Sequence, residues 1–231
     1  MARLPRLTLT GEPHLVQLRG LAQRAIVVDD EDRRLALAAL REACLQHGLA
    51  VHGYALMPDG LRLLASPAGQ QSLALAMQDF GRRYVAGFNR RHGQRGTLWD
   101  GRYRGCAVQP GAWALAALVL VEGEPARLHG NPDAPEHPGW TSAAHHLGQL
   151  RDPLVSPLLA YWQLGNTPFE REAAYARRLS EGLPATLQSR LEDGCRKGWP
   201  VGDGGFLDAL AKQVKRPIRG RPRGRPAVQR P

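Results

Sequence analysis

Seven arginines, Arg82, Arg83, Arg90, Arg91, Arg95, Arg102 and Arg104, fall within 23 residues and are opposed there by one acid, Asp100. Tyr84, Phe88, His92, Trp99 and Tyr103 are interleaved with them. Guanidinium groups neutralise backbone phosphates, and exposed aromatic rings stack on unpaired bases at about 1–3 kcal/mol per base. The chemistry on offer is nucleic-acid binding. Tyr84 and Phe88 fit the buried face of a helix better than a stacking platform, because Leu73, Met77, Phe80, Tyr84 and Phe88 advance by four, three, four and four residues. That leaves the arginines at 82, 83, 90, 91, 95 and 102 as the candidate DNA-facing residues.

A second basic element closes the chain. Of 31 basic side chains in 231 residues, eight lie in residues 211–231, where there is no acid. The formal charge of +10 is therefore mostly a property of this tail. It holds Arg219-Gly220-Arg221-Pro222 followed directly by Arg223-Gly224-Arg225-Pro226, similar to the core of an AT-hook. In such a motif extended arginines enter the narrow minor groove of AT-rich DNA. A nonspecific polycation is the competing reading, and both expect strongly salt-sensitive binding.

Other reactive side chains give little. Cys44, Cys106 and Cys195 are too widely spaced for a disulfide framework or a zinc motif. His52 and Tyr54 would share one strand face, and His137, His145 and His146 cluster without a carboxylate at ligand spacing. Hydrophobic residues make up 43% of the chain, enough for a core, but the longest apolar run, Ala112 to Val121, is too short to span a bilayer. The first six residues lack the apolar stretch of a signal peptide. A cytoplasmic, nucleoid-associated protein with no membrane partner is expected.

Leu7 to Leu18 reads as a strand broken by a Gly11–Pro13 turn, and Asp29 and Asp30 open a helix that runs to Gly48. Leu49 to Met57 and Leu61 to Ala65 read as a hairpin, with Pro58, Asp59 and Gly60 between them. The helix through Phe88 follows, then a strand over Thr97 to Val108 and an apolar helix over Trp113 to Glu122. This order predicts an α+β fold, an antiparallel sheet with helices packed against it. Three parts are expected: a first domain over 1–150, a helical region over 151–210 and a basic, disordered tail over 211–231. The stretch from Gly130 to Pro157 reads as a connection, and Leu158 to Leu210 should hold two or three helices, one over Glu170 to Leu179.

Several blocks together resemble the REP-associated tyrosine transposases of the HUH superfamily. They are Arg3-Leu4-Pro5-Arg6, Pro13-His14, Arg19-Gly20, Tyr54-Ala55-Leu56-Met57-Pro58 and Leu63-Leu64. Gly81-Arg82-Arg83-Tyr84-Val85, Phe88-Asn89-Arg90-Arg91-His92-Gly93 and Gly96-Thr97-Leu98-Trp99-Asp100-Gly101-Arg102-Tyr103 continue it. Glu122, Pro125, Arg127, Trp140-Thr141-Ser142 and His146-Leu147-Gly148 complete it, over roughly the first 150 residues. The resemblance implies a ferredoxin-like domain that acts on hairpin or single-stranded DNA in transposition. It also implies a divalent metal such as magnesium, held by two histidines one residue apart on a strand, and a tyrosine nucleophile.

The positions matching that chemistry carry other residues. The metal-ligand positions are Gly60 and Arg62, one without a side chain and one a permanent cation. The nucleophile position is Leu120, and no tyrosine occurs between Tyr103 and Tyr161. His14 matches a family histidine, but its companion position is Leu15. The expectation is a transposase-related DNA-binding protein that uses no cofactor and lacks the residues for metal-dependent strand cleavage. An active enzyme with a rebuilt site, a folded remnant with a polyanion-binding tail and an RNA-binding protein are the alternatives. The oligomeric state is open.

Overall fold

The caps and apolar spacings set the elements of the computed structural model, which describes residues 6–124 and 141–219. Asp29 caps helix α1 (Asp30–His47), accepting from the Asp32 N–H at 2.9 Å, and three acids fill the first turn where the helix dipole favours them. Helix α2 (Ser72–His92) buries Leu73, Ala76, Met77, Phe80, Tyr84 and Phe88, a single stripe that lies on the sheet.

Four strands make that sheet: β1 (His14–Arg19), β2 (Leu49–Met57), β3 (Gly60–Pro67) and β4 (Arg104–Ala107). They pair antiparallel in the order β2-β3-β1-β4, with Pro58 and Asp59 as the turn of the β2–β3 hairpin. The fold is α+β with an antiparallel sheet, as expected. Val16, Leu18, Tyr54, Leu56, Leu61, Leu63 and Ala65 point toward α1 and α2. Leu15, Ala55, Met57, Leu64, Cys106 and Val108 point the other way, toward helix α3 (Ala112–Glu122). Burial on both faces explains why β2 and β3 read as continuous apolar runs rather than alternating ones. At Gly53 a Cβ would stand 2.3 Å from Leu118 Cδ1, so α3 can approach β2 this closely only over bare backbone.

Beyond α3 come α4 (Ala143–His146), α5 (Leu159–Trp162), α6 (Pro168–Glu181), α7 (Ala185–Lys197) and α8 (Gly204–Gln213). Thr167 and Glu170 form a capping box at the start of α6, with Pro168 in the first turn. Helix α7 packs on the α3 side of the sheet, where the Cys195 thiol meets the Leu15 carbonyl at 3.7 Å. Val201 then pairs with Val108, and the Gln109 N–H donates to the Val201 carbonyl at 2.8 Å.

Two expected strands are shorter than the sequence suggested. Residues 7–13 form no ladder, because Gly11, at φ +80°, turns the chain and donates to the Pro67 carbonyl instead. Residues 97–103 turn through Gly96 and Gly101, both at positive φ, and β4 begins only at Arg104. The described part of the expected connection, 141–157, runs beside β2, bridging Thr141 to Ala55 and Val155 to Val51. The region 158–210 holds four helices rather than two or three. No helix among the described residues is long and apolar enough to cross a membrane.

Candidate nucleic-acid interface

The two positions assigned to metal ligands lie on β3, on the side facing α3 and α7. Gly60 pairs with Arg19 of β1 and with Met57 of β2. A Cβ there would come within 2.7 Å of the Leu18 carbonyl oxygen, so any side chain at this position requires the backbone to move. Arg62 Nη1 stands 2.8 Å from Glu124 Oε2 and 3.9 Å from Glu192 Oε1. A missing side chain and a guanidinium engaged by carboxylates do not fit a divalent ion. No group of three histidine, cysteine or acidic side chains among the described residues is placed to hold one.

Leu120 is fully buried in α3, within the core on that side of the sheet. All five tyrosines are described, and none presents a free phenol. Tyr54 donates to Asp152 at 2.7 Å, Tyr84 to the Ile26 carbonyl, Tyr161 to the His146 carbonyl at 2.7 Å and Tyr175 to Glu122 at 2.5 Å. Tyr103 lies beneath the Arg6 guanidinium, 3.8 Å from its ring centre. Burial raises the pKa of every one of these phenols, against the phenolate a nucleophile needs.

The histidines considered as replacements are also engaged. His14 accepts from the Leu9 N–H and meets the Glu12 carbonyl, and His52 lies between Ser66 Oγ and the Ser156 carbonyl. His145 accepts from the Asp152 N–H. His146 Nδ1 meets Glu122 at 2.8 Å, and Ser142 and Tyr175 donate to the same buried carboxylate. This buried network joins α3, α4 and α6. His137 lies outside the described residues.

The arginines divide sharply. Arg83 bridges the helices, reaching Asp79 at 2.8 Å and, on α1, Glu42 at 2.7 Å and Gln46 at 2.8 Å. Arg91 binds Asp29 through two hydrogen bonds and also Asp32, which is fully buried and bonded to His92 as well. Arg91 holds the Asp29 carboxyl down at about 2. Arg90 and Arg95 are exposed. Arg219 pairs with Asp208 at 2.9 Å, and Arg221, Arg223 and Arg225 lie outside the described residues.

Arg82 and Arg102 meet at a groove of about 680 Å³ between α2 and the 97–103 turn, together with Arg6, Trp99 and Tyr103. Its other walls are apolar or uncharged, and no acid lines it. The Trp99 ring is 8% exposed, yet its indole N–H has no acceptor among the described residues. A groove with guanidinium groups among its lining and no carboxylate suits a phosphate-bearing segment such as a nucleotide strand. Arg6 is not among the arginines expected to face DNA; its cation–π contact with Tyr103 joins parts of the chain far apart in sequence.

No protein-family model matches the chain, and no curated protein matches it. Solved structures do. One, a REP-associated tyrosine transposase bound to a REP hairpin, superposes with a TM-score of 0.52 at 12% identity, over 68% of this chain and 92% of that one. Another, from Deinococcus radiodurans R1 and described as a transposase, gives 20% identity and a TM-score of 0.36 over 56% of this chain and 94% of its own. At such identity the likeness is one of fold, and the chain has the fold of a REP-associated tyrosine transposase.

Proposed function

We propose that this chain binds DNA through a transposase fold and does not cut it. The observation that carries the reading is the acid-free groove lined by Arg6, Arg82, Arg102, Trp99 and Tyr103. It favours a polyanion, and the solved structure that shares the fold is bound to a REP hairpin. Hairpin or single-stranded DNA is therefore the substrate class we assign, with Arg90 and Arg95 as further phosphate contacts. The arginines of the tail, Arg219, Arg221, Arg223 and Arg225, add a second attachment to AT-rich minor groove.

The residues at the relevant positions support a reading without cleavage. A divalent ion would polarise the scissile phosphate, but Gly60 and Arg62 supply no ligand, and Leu120 supplies no oxygen. What is left is recognition without chemistry, the behaviour of a repressor or a competitor of active relatives.

The test is equilibrium binding of the full chain to a labelled hairpin with a 5′ single-stranded extension, beside a scrambled single strand, over a range of salt. Preference for the hairpin that is lost in Arg82→Glu/Arg102→Glu supports the reading. Equal affinity for both DNAs, unchanged in that variant, would leave only a polycationic tail.

A further inference from the structure

On the opposite side of the sheet from the groove, three polar residues stand in one row across adjacent strands. Gln17 of β1 is directly opposite Arg62 of β3 and also directly opposite Arg104 of β4. Residues in register across a sheet project to the same face, and strands lie about 4.8 Å apart, so the two arginines flank Gln17 across about 9.6 Å. Arg19, two residues along β1, projects to that face as well, beside Gly60, which leaves its corner open. Helix α7 closes the row with Ser189, Cys195 and Arg196 and with the carboxylates of Glu192 and Asp193, around a cavity of about 140 Å³.

Four guanidinium groups, those of Arg19, Arg62, Arg104 and Arg196, surround this small cavity, and carboxylates pair with two of them. Arg62 is bound by Glu124, with Glu192 at 3.9 Å. Asp193 is shared between Arg196 at 2.5 Å and Lys197 at 2.7 Å. The guanidinium groups of Arg19 and Arg104 have no hydrogen bond or ion pair among the described residues. Arg62, Arg104 and Arg19 all act on the Cys195 thiol, opposing the rise that burial imposes on it, so their charge does converge on the cavity.

We propose that this cradle binds one phosphate group, held by Arg104 and Arg19 with the Gln17 amide and the Ser189 hydroxyl as neutral donors. Two uncompensated guanidinium groups match the charge of a phosphate, and their N–H donors match its oxygens. The volume equals about four to five waters at roughly 30 Å³ each, room for one tetrahedral oxyanion. A metal cation is disfavoured by the four arginines around the space. The phosphate belongs either to a free small anion or to a nucleic-acid backbone, and the site stands whichever it is.

The probe is inorganic phosphate, followed by ³¹P line broadening with the full chain at fixed ionic strength. Saturable broadening is expected for the wild type, weakened at least fivefold in Arg104→Met and in Arg19→Met, with Arg104→Lys in between. In phosphate-free buffer Arg104→Met should melt no lower than wild type, since it removes an uncompensated charge rather than a structural partner. Displacement of the bound phosphate by a DNA hairpin assigns the site to backbone phosphate, and a lack of displacement assigns it to a free anion. No saturable broadening with the wild type, or equal broadening in the two methionine variants, overturns the proposal.

Discussion

Arg62 Nη1 lies 2.8 Å from Glu124 Oε2, tying the middle of β3 to the residue two places beyond the end of α3. Both side chains are nearly buried, at 12% and 10% exposure. The pair therefore works as an internal strut at the position where the resemblance places a metal ligand.

Removing the strut should cost stability and should not create a metal site. Arg62→Met is expected to lower stability by about 1–3 kcal/mol, less than a fully dry ion pair because some solvent reaches both groups. Gly60→His/Arg62→His should bind no magnesium or manganese by calorimetry, because the first new side chain collides with the Leu18 carbonyl.

Arginines that look equivalent in sequence should separate in experiment. Arg91→Ala removes the ligand of Asp29 and Asp32 and should lower the melting temperature. Arg82→Ala should leave it unchanged and weaken DNA binding, because the Arg82 guanidinium has no partner among the described residues. Thermal melts beside fluorescence-anisotropy titrations of the two variants decide this, and a stable Arg91→Ala protein would contradict it.

Glu122 is the most demanding buried acceptor of the α3 side. Three donors, from Ser142, His146 and Tyr175, converge on it. Glu122→Gln replaces one acceptor oxygen with a donor and sets N–H against O–H or N–H, at an expected cost of about 1–3 kcal/mol. Chemical denaturation of the variant should show a lowered midpoint with an unchanged slope.

Stability should hold a plateau near neutral pH and fall on both sides. On the alkaline side burial raises the thiols of Cys44 and Cys195 to about 12, and raises Cys106 and all five tyrosines too. The unfolded chain then holds fewer protons than the native one above the ordinary thiol pKa of about 8.5, so stability falls as pH rises from there. On the acid side burial lowers His14 and His52, so the unfolded chain takes up protons first below about 6.5. Asp29 and Asp193, both held near 2, extend the loss as pH falls from about 3.9 through 2. Melting temperatures across pH 3–11 test the whole profile, and the native thiols should resist iodoacetamide at pH 8.

Much of the fold is legible in the sequence because the signals are local. The four-three-four-four spacing of α2, the acids that open α1 and the Pro58–Asp59 turn each describe their own element, and the structure places all three accordingly. The Gly11–Pro13 turn was legible as well, and β1 starts directly after it at His14; that residues 7–10 stay outside the ladder was not, since it depends on Gly11 bonding to Pro67 of β3. The partition of the arginine block was not legible either. Arg83 and Arg91 find carboxylates on α1, dozens of residues away, while Arg82 projects into a groove that only the folded 97–103 turn completes. The Arg62–Gln17–Arg104 row arises from register, which no single segment encodes.

Binding without cleavage can be tested on one gel. The wild-type chain is incubated with a 5′-extended DNA hairpin, with magnesium and then with manganese, and resolved side by side under native and denaturing conditions. A shifted hairpin is expected on the native gel and, on the denaturing gel, intact DNA with no protein-linked species. A covalent protein–DNA band that depends on the metal would contradict it.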